Sequence, residues 1–89
     1  MKTIHKFRLQ GYHGTQWIDL PLNAKPISAQ MQHGALCVWA EVDEVNRLVP
    51  HEFFVAGTGQ LCPAYGRWRF ISTVQDGPFV WHVYISEPE

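Results

Sequence analysis

The chain has 89 residues, of which 46% are hydrophobic and 13% aromatic, and carries a formal net charge of −1 from seven basic and eight acidic side chains. That length suits one domain rather than two, and the hydrophobic share argues against disorder. The balanced charge removes the global signature of a nucleic-acid binder and that of an acidic nucleic-acid mimic, leaving only a local patch open.

Strand patterning begins at once. Lys2 to Leu9 alternates, with His5, Phe7 and Leu9 on one face and Ile4, Lys6 and Arg8 on the other. Gly11-Tyr12-His13-Gly14 breaks the pattern as a turn. Gln16 to Leu20 resumes it, and Pro21 removes a backbone donor, so this strand is expected to lie at a sheet edge or to end there. Ile27 to Gln32 alternates next, with Ile27, Ala29 and Met31 assigned to one face. His33-Gly34 turns the chain into Ala35–Val42, where Leu36, Val38, Ala40 and Val42 oppose Cys37, Trp39 and Glu41.

Asp43 to Pro50 is the most charged stretch and reads as a surface loop with room for one helical turn. A strand is expected over residues 51–56, ended by Gly57-Thr58-Gly59. Gln60 to Gly66 is an irregular loop. Two strands follow, R-W-R-F-I-S-T-V-Q and P-F-V-W-H-V-Y-I-S, joined at Asp76-Gly77, a dipeptide favoured in type I′ hairpin turns. Residues 1–86 form the expected domain, and 87–89 a frayed tail.

The reading is an all-β domain of about six to seven short strands, a small antiparallel β-sandwich or partly open barrel. A core of this size is thin, so a homodimer is a plausible supplement. Trp17, Trp39, Trp68 and Trp81 can either enlarge that core or anchor a partner.

Chemistry-bearing motifs are weak. His5, His13, His33, His51 and His82 lack metal-ligand spacing, and Cys37 and Cys62 form no zinc or nucleophile signature. No serine occupies a nucleophile elbow. Gly57-Thr58-Gly59 lacks the lysine and helix of a phosphate loop and reads as a strand terminator. No apolar run approaches the ~20 residues of a membrane span. The start Met1-Lys2-Thr3 has no signal-peptide character. A cytoplasmic location, reduced thiols and no cofactor are therefore expected.

The strongest candidate surface is Arg67-Trp68-Arg69. Simple alternation puts Arg67 and Arg69 opposite Trp68 and beside Ile71 and Thr73, and across the hairpin groups Val80, His82 and Tyr84. Arg67, Arg69, His82 and Tyr84 are the first expected contact residues. Asp43, Glu44 and Arg47 are the second set. Arginine and aromatics suit protein hot spots or ring stacking. The competing reading is plain sheet packing on both faces.

The segments M-K-T-I-H-K-F, Q-H-G-A-L-C-V-W-A-E-V-D, G-T-G at 57–59 and S-T-V-Q-D-G-P-F-V-W-H-V-Y together resemble a family of short proteins encoded by bacteriophages and prophages of proteobacteria. The resemblance covers most of the chain and transfers no catalytic residue. It implies a phage-encoded accessory protein that binds a host protein or complex without enzymatic activity and inhibits bacterial defence, in the manner of anti-CRISPR proteins. Two other readings are a module that sequesters a nucleotide signal and a minor phage structural protein.

Overall fold

The computed structural model describes residues 1–88 as seven strands in two antiparallel sheets, with no helix among them. The strands are β1 (Lys2–Arg8), β2 (Gly14–Pro21), β3 (Lys25–Gln32), β4 (Ala35–Asp43), β5 (Leu48–Gly57), β6 (Arg67–Asp76) and β7 (Phe79–Glu87). One sheet has the order β1-β4-β3 and the other β2-β5-β7-β6. The chain crosses between sheets in the β1–β2, β2–β3 and β4–β5 connections. The architecture is a small β-sandwich, as the strand spacing implied.

Period-two alternation determines which side chains meet between the sheets. From β4 come Leu36, Val38, Ala40 and Val42; from the facing sheet come Leu20, Phe53, Val55, Val74, Val83 and Ile85, all buried. No polar or charged residue is buried among the described residues, so the side chains of the interior meet by apolar contact. Tyr12 and Phe79 flank Trp81 at one end, their ring centroids 5.3 and 5.7 Å from its own. The Trp81 indole N–H donates to Asp76 Oδ2 at 3.1 Å, which gives its polar atom a partner.

Turns follow from a few special backbones. His33 and Gly34 both have positive φ, 50° and 78°, the signature of a type I′ turn. The β6–β7 hairpin differs from expectation. Asp76 pairs with Phe79, so its two-residue loop is Gly77-Pro78 rather than Asp76-Gly77. Gly77 has φ 57°, while the Pro78 ring holds φ negative, which excludes type I′ and fits type II′.

Several boundaries also move. Strand β5 begins at Leu48 rather than 51, because Leu48, Val49 and Pro50 pair with Pro21, Leu20 and Asp19 of β2. As expected from Pro21, β2 is an edge strand. The residues after Asp43 make a turn without a helical segment, closed by Asn46 N–H donating to the Asp43 carbonyl at 3.0 Å. Glu87, read as tail, is the last residue of β7 and lies opposite Arg67; Glu89 lies outside the described residues.

Two bulges matter most. In β3, Pro26 faces Ala40 and Ser28 faces Trp39, leaving Ile27 as the extra residue. Ile27 therefore leaves the Ala29–Met31 face assigned to it and stands 48% exposed. In β6, Phe70 faces Tyr84 and Ser72 faces Val83, so Ile71 is extra. This second bulge turns Ser72 toward β3, where its hydroxyl accepts the Ala29 N–H at 2.9 Å. Arg69 donates from Nη2 to the Pro26 carbonyl at 3.1 Å along the same seam. The two sheets are thus joined edge to edge on one side.

Phe53 is fully buried at the centre of the core. Phe53→Ala is expected to cost about 3–5 kcal/mol, read from denaturant unfolding. A loss under about 1 kcal/mol would place the load of the core elsewhere.

Candidate functional site

The outer face of the four-stranded sheet carries a strip of aromatic side chains. The same alternation that buries Phe53, Val55, Val83 and Ile85 turns Phe54 and Tyr84 outward, and places Trp17 beside Glu52. On β6, Trp68 and Phe70 lie before the bulge and point to this outer side, Phe70 opposite Tyr84. Phe54 meets Trp68 and Tyr84 edge-on at 5.8 and 6.5 Å, and Phe70 meets Tyr84 edge-on at 5.6 Å. Trp17 is 61% exposed and Phe70 49%.

The β5–β6 loop closes over one end of the strip. The Trp68 indole N–H donates to the Tyr65 carbonyl at 2.6 Å, which holds the loop down. A hollow of about 310 Å³ lies between loop and sheet, lined by Thr15, Glu52, Phe54, Leu61, Cys62 and Trp68 among others. The loop begins in a turn where Gln60 N–H donates to the Gly57 carbonyl at 3.0 Å, with Gly59 at φ 90° in the position that requires it. The Gly57-Thr58-Gly59 segment thus terminates a strand, as its sequence suggested.

Next to the aromatics, His82 is held between two threonine hydroxyls. Thr58 Oγ1 lies 2.8 Å from Nε2 and Thr73 Oγ1 lies 3.0 Å from Nδ1. Both ring nitrogens are therefore occupied, and the imidazole orientation is set by its neighbours. The Tyr84 hydroxyl is 4.0 Å from the Cys62 sulfur. Its pKa lies above the usual phenol value, first through desolvation and then through the neighbouring Cys62 thiol.

The expected contact residues divide among three places. His82 and Tyr84 share the outer face. Arg67 and Arg69 do not: Arg69 is paired with Ile85 and Arg67 with Glu87, on the opposite side of the sheet. The cause is the Ile71 bulge. It places Thr73 with His82 while leaving Arg67 and Arg69 in the opposite phase, so the simple alternation that grouped them fails. Arg69 is a structural staple, bonded to Pro26 and 3.4 Å from the Glu87 carboxylate.

Asp43, Glu44 and Arg47 belong to the β4–β5 crossover, away from the aromatic strip. Asp43 Oδ2 lies 3.7 Å from the terminal amine, Glu44 Oε2 lies 3.4 Å from His5 Nε2, and the Arg47 carbonyl accepts the Leu22 N–H at 2.8 Å. Phe54 and Phe70 were not among the candidates, and Trp17 was named only as one of four tryptophans that could enlarge the core or anchor a partner. Trp17 and Phe70 were legible as outward positions only once strand phase and bulge were known.

Strand positions of the aromatic face carry Asp19 and Glu52 and no lysine or arginine. Among the described residues, no three histidine, cysteine or carboxylate side chains converge as metal ligands. Cys37 is buried and Cys62 exposed, and they form no disulfide. No helix of the described residues is long and apolar enough to cross a membrane.

Tyr84 supplies a check on this geometry. Because its folded pKa is raised, the stability linked to it is present below the unfolded value of about 10 and fades as pH rises through the folded value. The absorbance titration difference between the parent and Tyr84→Phe is expected to centre above pH ~10 and to move down in Cys62→Ala. A difference centred at or below that value would contradict the desolvated phenol.

Comparisons with curated proteins and with solved structures found no match. One family profile, described as Domain of unknown function (DUF7352), matches residues 1–89. The chain therefore belongs to the DUF7352 family.

Proposed function

We propose that this chain is a non-enzymatic binding protein that docks a protein partner on the outer face of its four-stranded sheet. The observation that carries this reading is the outward aromatic strip of Trp17 and Phe70, both exposed, with half-buried Phe54, Trp68 and Tyr84 between the same strands. Large aromatics at the surface lose little conformational entropy on binding and dominate interface energetics. Contiguous exposed apolar patches mark interaction sites. The charge around the strip comes from Asp19 and Glu52, which disfavours a nucleic-acid backbone there.

The partner class is a bacterial protein complex of a phage host, and the action is inhibition of a defence system in the anti-CRISPR manner. That finer part rests on the resemblance to phage and prophage proteins, a class-level analogy. His82 and Tyr84 remain contact residues in this reading, with Trp17 and Phe70 at its centre. Arg67 lies at the sheet's end, and Arg69 is removed from the contact set because its guanidinium ties the sheets together.

A second reading, capture of a small ligand, draws on the hollow under the β5–β6 loop. Its lining includes Glu52 and no cationic side chain, so it suits a neutral or cationic ring rather than a nucleotide.

The test pairs Trp17→Ala with Phe70→Ala, both at exposed positions. Tagged parent and double variant are used as baits in lysate of the host bacterium, alongside plaque assays on defended cells expressing each. A defence component retained by the parent and weakened at least about thirtyfold by the variant, at unchanged melting temperature, is the expected result. An equally strong complex with the variant would remove the aromatic strip as the docking face. Loss of plaquing relief alone, with the complex intact, would leave the face and remove the inhibitor role.

A further inference from the structure

We propose that the free edge of β1 is a binding site for an extended acidic peptide segment, taken up as an added antiparallel strand. The site is on the other sheet from the aromatic strip and does not rest on the reading of that strip.

The edge is open in its backbone. Strand β1 is terminal in the order β1-β4-β3. The Leu9 N–H donates to the Leu36 carbonyl at 2.9 Å. Backbone groups alternate sides along an antiparallel strand, so Thr3, His5 and Phe7 likewise turn theirs toward β4. The N–H and C=O groups of Lys2, Ile4, Lys6 and Arg8 therefore point to the outer edge. Pairing with β4 runs without a break from Lys2 opposite Asp43 to Arg8 opposite Cys37, so no bulge twists the edge away. It also contains no proline. Natural sheets usually blunt an edge of this kind by such means.

The same four residues set the side-chain chemistry. Lys2, Ile4, Lys6 and Arg8 all face the outer side of the sheet, where Ile4 is 55% exposed. Lys25 of β3 faces the same side, opposite Glu41. This one face thus holds four of the seven basic residues of the chain, against Glu41 and Asp43. Trp39 lies at its centre with Ile4 and Ile27 beside it.

Charge decides the occupant. Lysine on an edge strand commonly guards against pairing with a second copy. Here an antiparallel β1–β1 pair would set Lys2 against Arg8 and Ile4 against Lys6, so self-association is disfavoured. Lys2 Nζ lies 3.4 Å from Glu41 Oε1 and Lys6 donates to Gln32 Oε1 at 2.6 Å, both exposed contacts that an incoming carboxylate can share, so these cations and Arg8 favour a strand with acidic residues opposite them and an apolar one opposite Ile4. Backbone hydrogen bonds supply affinity in such strand addition, and alternate side chains supply specificity. A complementary segment, read in its own direction, follows the pattern acid-x-acid-x-apolar-x-acid.

The probe is a fluorescent, end-capped octapeptide, E-T-E-T-V-T-E-T, titrated with the full chain and read by anisotropy. In an antiparallel pair the residues opposite Lys6 and Ile4 carry the bonded amides, which are those of the second Glu and the Val. Methylating those two nitrogens is expected to weaken binding about tenfold or more, whereas methylating neighbouring Thr nitrogens leaves it within about threefold. A Lys6→Glu, Arg8→Glu chain is expected to lose the acidic probe and to bind its K-T-K-T-V-T-K-T counterpart. No binding of the acidic probe overturns the proposal. Equal binding by both methylated forms, or equal competition by an oligothymidylate, also overturns it, since the edge would then hold polyanions by charge alone.

Discussion

The hydroxyl of Ser72 accepting the Ala29 N–H holds the two sheets together where no strand ladder does. Elsewhere the sheets meet through side chains. At this seam β3 and β6 lie edge to edge, and Arg69 adds a second tie to the Pro26 carbonyl. Both contacts depend on bulges: Ile71 rotates Ser72 toward β3, and Ile27 lets Pro26 pack inward while the strand still pairs with β4. Without them β3 and β6 would each present an unsatisfied edge to the other. The bulges are therefore part of how so small a sandwich is closed on one side.

Closure of one side and limited size together explain where the proposed binding surfaces are. Each sheet can bury only one face, because 89 residues supply two layers and no third. The inner faces take the aliphatic residues and Phe53. The outer face of the larger sheet is left with an aromatic strip, and that of the smaller sheet with most of the basic side chains. The aromatic strip is thereby separated from these cations, which share their own face with Trp39. A single site that stacks a base and binds its phosphate needs both together, and the aromatic strip lacks the cation.

Tyr84 and His82 show how the aromatic face is kept in one arrangement. Thr58 and Thr73 occupy both nitrogens of His82, and Cys62 lies against the Tyr84 hydroxyl. These contacts tie the β5–β6 loop region to β6 and β7. They orient the polar groups at the border of the strip without any buried charge, so the face is preorganised at little electrostatic cost.

The amino-acid sequence by itself determined the strand content, the turn at His33-Gly34, the edge or strand end implied by Pro21 and the grouping of Leu36, Val38, Ala40 and Val42 on one face. Each of these depends on neighbours a few residues away, through alternation, the absent proline N–H or a positive φ. The grouping of Arg67 and Arg69 with His82 and Tyr84 failed for the opposite reason. A strand's phase can be read locally only until a bulge shifts it by one, and the bulge at Ile71 goes with a partner for Ser72 on β3, some forty residues earlier in the chain. The same holds for Ile27, for the Gly77-Pro78 turn set by the pairing of Asp76 with Phe79, and for the free edge of β1. Which face is core, which edge is open and which charges stand together are properties of strand pairing across the chain, and only the tertiary structure decided them.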